Sequence, residues 1–488
     1  MINDILSVIN LNFILLVFIG SLTGLFVGAM PGLSVTMATA LLVSVTFTWQ
    51  TNNAMALIMG VYTVGVYSGA VTAILLNIPG APSSVATTLD GYPMARKGQA
   101  LLALRTATYY SFLGTFIGLI VLLISAKQVA KLALAFTPID YFFLALFGLT
   151  TVGSLTSKSF IKGMLTALIG VFLSTIGTDP IMGMGRFTYG NVHLQRGISI
   201  IPVLIGLFGF SEILYQISRG KDKSKSLDVE KSKINNKEIF RHWFLGVKSS
   251  IIGALIGALP GAGGPVASLI SYEQAKKTSK NNKIPFGQGA VEGIVASESS
   301  NNACIGGALI PMLTLGVPGD AVTSVILSAF YVHGLRPGPL LFSETPEIFT
   351  IILAGGFIGS IMILILGLTV GPLMANIIKV KERHLFPIIG VLCIIGAYAA
   401  DTSTFDVLLM LIFGVLGLIM RKGGYPVAPM VLGLVLGDIM DSNFRRAMSL
   451  LSASKNGLSD LLLKPITIVL IIMIIISISS NFVSIERE

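Results

Sequence analysis

Four Pro-Gly breaks interrupt sequence that is otherwise almost entirely apolar. Their residues are Pro31, Gly32, Pro79, Gly80, Pro260, Gly261, Gly263, Gly264, Pro318 and Gly319. Inside hydrocarbon, such a break is tolerated only where protein or water surrounds the freed backbone groups. The N–H groups and the positive dipole end of the half-helix after a break suit an anion, and unwound carbonyl groups suit Na⁺. The breaks therefore predict a binding site for a carboxylate; the alternative at each one is a helix kink or close helix packing.

Small hydroxyl and amide side chains accompany the breaks, and they can donate hydrogen bonds to carboxylate oxygens or ligate Na⁺ through their own oxygens. The sequence has Ser34 and Thr36 at the first break, Asn77, Ser83, Ser84 and Thr87 at the second, Ser268 at the third, and Thr314, Asp320, Thr323 and Ser324 at the fourth. We predict substrate binding by Ser34, Asn77, Ser83, Ser84 and Ser268 together with the Pro-Gly residues. Thr314, Asp320 and Thr323 are candidates for ion coupling.

A polar cluster, "EGIVASESSNNACIGG", precedes the fourth break at 292–307. Ser300, Asn301 and Asn302 are further candidates for ion coupling, since neutral Ser and Asn bind ions without the cost of burying a second charge. The alternative for Glu298 to Asn302 is a helix N-cap.

Acidic residues in a membrane are functional candidates by default. The candidates for ion coupling are Asp90, Glu292, Glu298, Asp320 and Asp438. Asp90 and Glu292 lie beside polar loops, so solvation is the alternative for these two.

The sequence does not contain the residue patterns expected for a metal site, a disulfide or a nucleotide-binding loop. His193, His242, His333 and His384 are scattered without ligand spacing, and Cys304 and Cys393 lie in apolar sequence, so we expect neither a metal site nor a disulfide. No G-x-x-x-x-G-K-[ST] motif is present. We expect a protein that is not an enzyme and has no cofactor, with Na⁺ or H⁺ as a coupling ion.

Composition identifies the class of protein that positions these residues. The chain has 488 residues, of which 53% are hydrophobic and 11% are charged. A soluble domain carries about 25% charged residues, so this is a polytopic membrane protein. The net charge of +10 comes from Lys and Arg in short loops, which indicates membrane orientation and argues against nucleic acid binding.

Apolar stretches of about 20 residues can span the bilayer as helices. They predict an all-α polytopic membrane protein with ten to twelve transmembrane helices, the first of them retained near the N-terminus and not cleaved as a signal peptide. We divide the chain into a first membrane repeat (1–217), a basic cytoplasmic linker (218–243), a second membrane repeat (244–445) and a C-terminal segment with a last transmembrane helix (446–488).

The two halves are similar in sequence. Pro31 and Pro260 are 229 residues apart, Pro79 and Pro318 are 239 apart, and Pro202 and Pro429 are 227 apart, each within similar flanking sequence. Basic residues flank the break at Pro260 on both sides but are absent around Pro31, which predicts inverted repeats whose broken, re-entrant segments enter from opposite faces. In the first half, a kinked pair of full spans is the alternative.

The motifs "MPGLS", "AILLNIPGAPSSVATTLDGYPMARKGQA", "LPGAGGPVASLISYEQAKK", "EGIVASESSNNACIGGALIPMLTLGVPGDAVTSVIL" and "HGLRPGPLLF" closely resemble the TctA family, the large membrane subunit of tripartite tricarboxylate transporters. The resemblance runs from about 10 to 445. It implies a bacterial inner-membrane carrier that works with a TctB-like small membrane subunit and a TctC-like periplasmic solute-binding protein. Ser34 and Asp320 depart from the commonest pattern of the family, and the extra acid puts tricarboxylate specificity in doubt.

We interpret the chain as a secondary active transporter for a citrate-like tricarboxylate or dicarboxylate, coupled to Na⁺ or H⁺. Elevator-type alternating access is the mechanistic hypothesis, because it fits paired hairpins and inverted repeats. The alternative is a membrane receptor or scaffold subunit that docks a solute-binding protein without translocating anything. A passive anion channel would need a basic lumen, which the sequence around the breaks does not provide.

Overall fold

Helices make up nearly all of the computed structural model. It describes residues 2–30, 33–155, 160–179, 183–219, 239–279, 284–374, 382–453, 462 and 464–485. Within these residues, the only β-structure is an antiparallel pair, β1 (Gly177–Thr178) and β2 (Gly185–Arg186). The predicted all-α polytopic membrane fold is confirmed.

The helices of the first half, in chain order, are α1 (Ile2–Val8), α2 (Leu11–Gly28), α3 (Val35–Thr46), α4 (Thr51–Leu76), α5 (Val85–Met94), α6 (Ala100–Ala133), α7 (Pro138–Leu155), α8 (Phe160–Ser174), α9 (Val192–Gln195), α10 (Ile200–Leu204) and α11 (Ser211–Arg219). Those of the second half are α12 (Trp243–Gly257), α13 (Gly263–Thr278), α14 (Val291–Leu315), α15 (Ala321–Val332), α16 (Leu341–Glu344), α17 (Pro346–Thr369), α18 (Glu382–Asp401), α19 (Thr404–Lys422), α20 (Ala428–Ala453) and α21 (Pro465–Ile485). Short 3₁₀ or π turns (Pro82–Ser84, Ala95–Gln99, Ile205–Phe210 and Gly371–Leu373) join several of them.

Six of the described helical segments are long and apolar enough to cross a membrane, and seven further apolar helices are 10–17 residues long. Ten to twelve spans would need all six long helices and some of the seven shorter ones. The predicted number of spans therefore stays a prediction. The linker predicted at 218–243 lies largely outside the described residues. The last predicted span falls on α21.

Both halves repeat the order helix, break, short helix, long helix, break. The arms of the second-half hairpin, α12 and α13, have 15 and 16 residues, which at about 1.5 Å per residue cannot cross about 30 Å of hydrocarbon. In the first half, α3 has only 12 residues. This length argues against the alternative of two full spans and favours a re-entrant segment there as well.

The second and fourth breaks show the same close backbone packing, and the residues involved differ by the offsets that relate the two halves in sequence. A Cβ at Gly80 would lie 2.5 Å from the Gly28 carbonyl oxygen and 2.9 Å from Cα of Gly69. A Cβ at Gly319 would lie 2.8 Å from the Gly257 carbonyl oxygen and 2.5 Å from Cα of Ala308. Gly28 and Gly257 are 229 residues apart, and the other two pairs are 239 apart. The same three-way contact is therefore built twice, which supports the proposed duplication.

The helices form one central and two flanking bundles. The central bundle contains α2, α4, α5, α6, α12, α13, α14 and α17. One flanking bundle combines α3, α10 and α11 with α18 and α19 of the second half, and the other combines α7 and α8 with α20 and α21. Each flanking bundle thus contains helices from both halves, and the second and third breaks lie within the central bundle.

Candidate functional site

The third break opens the N-terminus of α13 towards the centre of the molecule. Gly261 and Gly263 have φ of 79° and 63°, values that favour glycine, and they turn the chain sharply from α12 into α13. No side chain caps the first N–H groups of α13. A 16-residue helix therefore begins here with free donors and the positive end of its dipole.

Asn301 points at this helix start from the middle of α14. Its side chain is 1% exposed, and neither its Oδ1 nor its Nδ2 has a hydrogen-bond partner among the described residues. A Cβ at Gly264 would lie 2.5 Å from Asn301 Oδ1 and 3.0 Å from Cβ of Ser83. An unsatisfied buried amide costs about 1–3 kcal/mol, which makes Asn301 a candidate for contact with a ligand.

The second break supplies Ser83 from the other half of the chain. Asn77 ends α4 in the left-handed conformation, at φ 58° and ψ 26°, and the turn Pro82–Ser84 then leads into α5. Ser83 is 8% exposed; Ser84 is fully buried, and its hydroxyl has no hydrogen-bond partner among the described residues. Two helix starts, a free amide and two serines therefore meet at one junction, which we call the Asn301 junction: Ser83, Ser84, Gly263, Gly264 and Asn301.

The fourth break borders the junction but is closed by its own contacts. Asp320 caps α15 through the Thr323 N–H at 2.7 Å, in a reciprocal capping box with Thr323. Its second carboxylate oxygen accepts a hydrogen bond from the Tyr62 hydroxyl at 2.8 Å. A Cβ at Gly263 would lie 3.2 Å from Cβ of Asp320, so this acid lies directly beside the start of α13.

The remaining predicted substrate residues are placed as follows. Pro31 and Gly32 lie outside the described residues. Ser34 caps α3 by accepting the Met37 N–H at 3.1 Å, and the Ser268 hydroxyl donates to the Pro265 carbonyl oxygen at 3.0 Å. Pro79 and Pro318 follow the ends of α4 and α14, whereas Gly80 packs beside the end of α2 and Gly319 beside the end of α12.

The ion-coupling candidates mostly have protein partners. Ser300 donates to the Ala267 carbonyl oxygen at 2.8 Å, Asn302 Nδ2 donates to Thr115 Oγ1 at 3.0 Å, and Thr314 donates to the Ile310 carbonyl oxygen at 2.7 Å. Within the described residues there is no group of three or more His, Cys, Asp or Glu side chains that could hold a metal ion. A role of these residues in ion coupling stays a prediction.

Two alternatives offered by the sequence are wrong. Glu298 to Asn302 do not cap a helix, because α14 begins at Val291 and buries them in its interior. Asp90 is not solvated; it is fully buried and accepts four hydrogen bonds. Glu292 lies 3.8 Å from His242, and Asp438 is exposed on α20.

Sequence reasoning missed the partners that these acids find on other helices. Tyr62 reaches Asp320, Tyr272 reaches Asp90, and Ser111 reaches Glu298. The 239-residue offset could have indicated Tyr62, because it stands at the position equivalent to Asn301. Tyr272 and Ser111 carry no comparable signal.

Comparison with known proteins gives a consistent result. A family model described as "Tripartite tricarboxylate transporter TctA family" matches residues 14–432. An Agrobacterium vitis protein described as "Uncharacterized 52.8 kDa protein in TAR-I ttuC' 3'region" is 37% identical over 433 residues, which cover 88% of this chain and 86% of the relative. A second A. vitis protein, described as "Uncharacterized protein in TAR-II ttuC' 3'region", is 39% identical over 196 residues, 40% of this chain and 81% of the relative. No solved structure matches the chain.

Proposed function

Because the chain belongs to the tripartite tricarboxylate transporter TctA family, we propose that it takes up an organic carboxylate by secondary active transport. The substrate is a citrate-like tricarboxylate or dicarboxylate, and a Na⁺ or H⁺ gradient drives its accumulation. A TctC-like solute-binding protein delivers the substrate in the periplasm, and a TctB-like small subunit completes the complex in the bacterial inner membrane.

The free amide of Asn301 is the observation that carries this proposal. It is buried without a partner among the described residues, and it faces the unpaired start of α13. A carboxylate at this point would accept hydrogen bonds from the Asn301 Nδ2, from backbone N–H groups at Gly263 and Gly264, and from the Ser83 hydroxyl. All of these donors are neutral, so they bind the anion without holding it as tightly as a buried cation would.

Movement of the central bundle against the flanking bundles would carry this site across the membrane. The junction is built from breaks in both halves, so a displacement of the central bundle exposes it to one face or the other. This elevator-type mechanism agrees with the short hairpin arms α12 and α13, which do not cross the bilayer on their own.

Filling the junction tests the proposal. Gly264→Ala places a methyl group against Asn301 and Ser83, so we expect uptake to be lost. Gly390→Ala is the matched control, since a Cβ at this helical position meets no atom of the described residues within 4 Å and we expect uptake to be unchanged. The measurement is uptake of radiolabelled citrate and a dicarboxylate panel into proteoliposomes containing the chain and its two proposed partners, under an inward Na⁺ or H⁺ gradient.

The outcomes separate the transporter from the docking subunit. Accumulation against a gradient by the wild type and Gly390→Ala, but not by Gly264→Ala, supports transport through the junction. A complex that binds the solute-binding protein yet moves none of the carboxylates under either gradient would contradict transport and favour the non-translocating receptor.

A further inference from the structure

Glu298 lies at a second polar site, one turn of α5 away from the Asn301 junction. Its side chain is fully buried in α14 between α5 and α6. The Thr87 hydroxyl of α5 donates a hydrogen bond to Glu298 Oε1, and the Ser111 hydroxyl of α6 donates to Oε2 at 2.9 Å. The carboxyl group is therefore held by two hydroxyl groups from two other helices.

Hydroxyl partners accommodate the carboxyl group in both protonation states. When Glu298 is ionised, the two hydroxyl groups donate to it. When Oε1 carries a proton, that proton can be donated to Thr87, whose own proton can turn to Ser297 Oγ at 3.1 Å. Ser297 in turn donates to the Ile294 carbonyl oxygen at 3.2 Å, so every hydroxyl in the chain keeps an acceptor.

Asp90, three residues after Thr87 on α5, is held in the opposite manner. Its Oδ1 accepts three backbone N–H groups, those of Gly287, Gly289 and Ala290, each at 2.8 Å. Its Oδ2 accepts the Tyr272 hydroxyl at 2.8 Å. A backbone N–H can only donate, so Oδ1 of Asp90 is surrounded by three donors, whereas each oxygen of Glu298 meets a hydroxyl group that can also accept.

The surroundings of Glu298 provide no compensating cation among the described residues. The titratable groups on the neighbouring helices have other partners: the Tyr67 hydroxyl of α4 is hydrogen-bonded to Thr108, and Asp90 of α5 accepts a hydrogen bond from Tyr272 of α13. The basic residues of the packed helices, Arg105 on α6 and Lys248 on α12, form no ion pair with Glu298. An unpaired buried charge is costly, and no ion pair among the described residues lowers this cost for Glu298. Proton binding to Glu298 therefore removes a free-energy cost.

We propose that Glu298 binds the coupling proton, which makes the chain a proton–carboxylate symporter. This inference rests on the proposed function. A proton adds to Glu298 Oε1 when the site faces the periplasm, and the same proton leaves from that oxygen when the site faces the cytoplasm, so charge and atoms balance over one cycle.

Thr87 connects the proton site at Glu298 to the proposed binding site of the substrate carboxylate. It lies on α5, one turn after Ser83 and Ser84, which belong to the Asn301 junction. A change in the hydrogen bond between Thr87 and Glu298 therefore acts on the helix whose start binds the anion. Each oxygen of Glu298 contacts one hydroxyl directly, Oε1 that of Thr87 and Oε2 that of Ser111.

Infrared titration and transport together test this proposal on the full complex in proteoliposomes. In the wild type, we expect a carboxylic acid C=O band to grow on acidification, to be lost in Glu298→Gln, and to persist in Glu273→Gln. Glu273 is a suitable control because its side chain is 55% exposed and pairs only loosely with Lys276, at 3.9 Å. Glu298→Gln should still exchange carboxylate across the membrane but lose accumulation driven by a proton gradient at equal Na⁺.

Each result decides the proposal. An unchanged C=O band in Glu298→Gln, or wild-type accumulation by this variant under a proton gradient, overturns it. If the wild type exchanges no carboxylate, the proposed function fails, while the infrared band still reports whether Glu298 binds a proton. If Glu298→Gln does not fold, Thr87→Val serves instead; it keeps the carboxyl group and removes the relay, so the midpoint of the band must shift, and an unshifted midpoint overturns the proposal.

Discussion

Tyr62 and Asn301 stand at equivalent positions in the two halves of the chain, yet one is hydrogen-bonded and the other is free. They are 239 residues apart, as are Pro79 and Pro318. Tyr62 reaches across to Asp320 at the fourth break, and the bond between them closes that side. Asn301 reaches across to Ser83 and Gly264 and has no partner among the described residues.

This difference makes the two junctions of the duplicated fold unlike each other. The packing of glycines at the breaks is the same in both halves, so the backbone alone offers two similar junctions. Side chains then close one of them with a Tyr–Asp hydrogen bond and leave neutral donors in the other. The acid at 320, which puts anion binding in doubt from the sequence, is occupied as a helix cap and as the acceptor of Tyr62.

Replacing Asn301 by an acid, so that its junction carries a carboxylate as the Tyr62 side does at Asp320, has the largest expected effect on uptake. Asn301→Asp places a carboxylate where we propose that the substrate carboxylate binds, and like charges in contact cost several kcal/mol. We expect uptake at low substrate concentration to fall about 100-fold, which corresponds to about 3 kcal/mol. Initial uptake rates in proteoliposomes measure this, and a fall of less than about threefold would show that the anion binds elsewhere.

Removing the hydrogen bond between Tyr62 and Asp320 has a smaller expected effect, and it changes stability instead of uptake. Tyr62→Phe removes one hydrogen bond to the Asp320 carboxylate, so we expect the free energy of unfolding to decrease by about 1–3 kcal/mol. Thermal unfolding in detergent measures this change. Substrate affinity should stay the same, and a loss of affinity as large as that in Asn301→Asp would mean that the two sides form one site.

Much of this organisation could be predicted from the sequence, because it depends on local signals. The described Pro-Gly residues of the breaks follow helix ends, and the offsets of 229 and 239 residues relate the packing of Gly28, Gly69 and Gly80 to that of Gly257, Ala308 and Gly319. The residues of the Asn301 junction were likewise among the predicted candidates. Ser83, Ser84, Gly263 and Gly264 are predicted for substrate binding and Asn301 for ion coupling, and these roles stay predictions.

The roles of the acids could not be predicted, because they depend on residues far away in the sequence. Asp90 looks solvated beside a polar loop until the backbone of 287–290 folds over it. Glu298 looks like part of a helix cap until α14 begins at Val291 and Thr87 and Ser111 approach from other helices. No local pattern distinguishes fixed N–H donors from hydroxyl groups that both donate and accept.

Protection of a cysteine at the junction tests the central claim most directly. In Ser83→Cys, the new thiol lies beside Asn301, while the native Cys304 and Cys393 are buried. A carboxylate that the wild type takes up should slow modification of this thiol by a small methanethiosulfonate reagent. It should not slow modification of Tyr189→Cys, whose position is 91% exposed in a distant loop. An equal rate at Ser83→Cys with and without a saturating carboxylate would contradict substrate binding at the Asn301 junction.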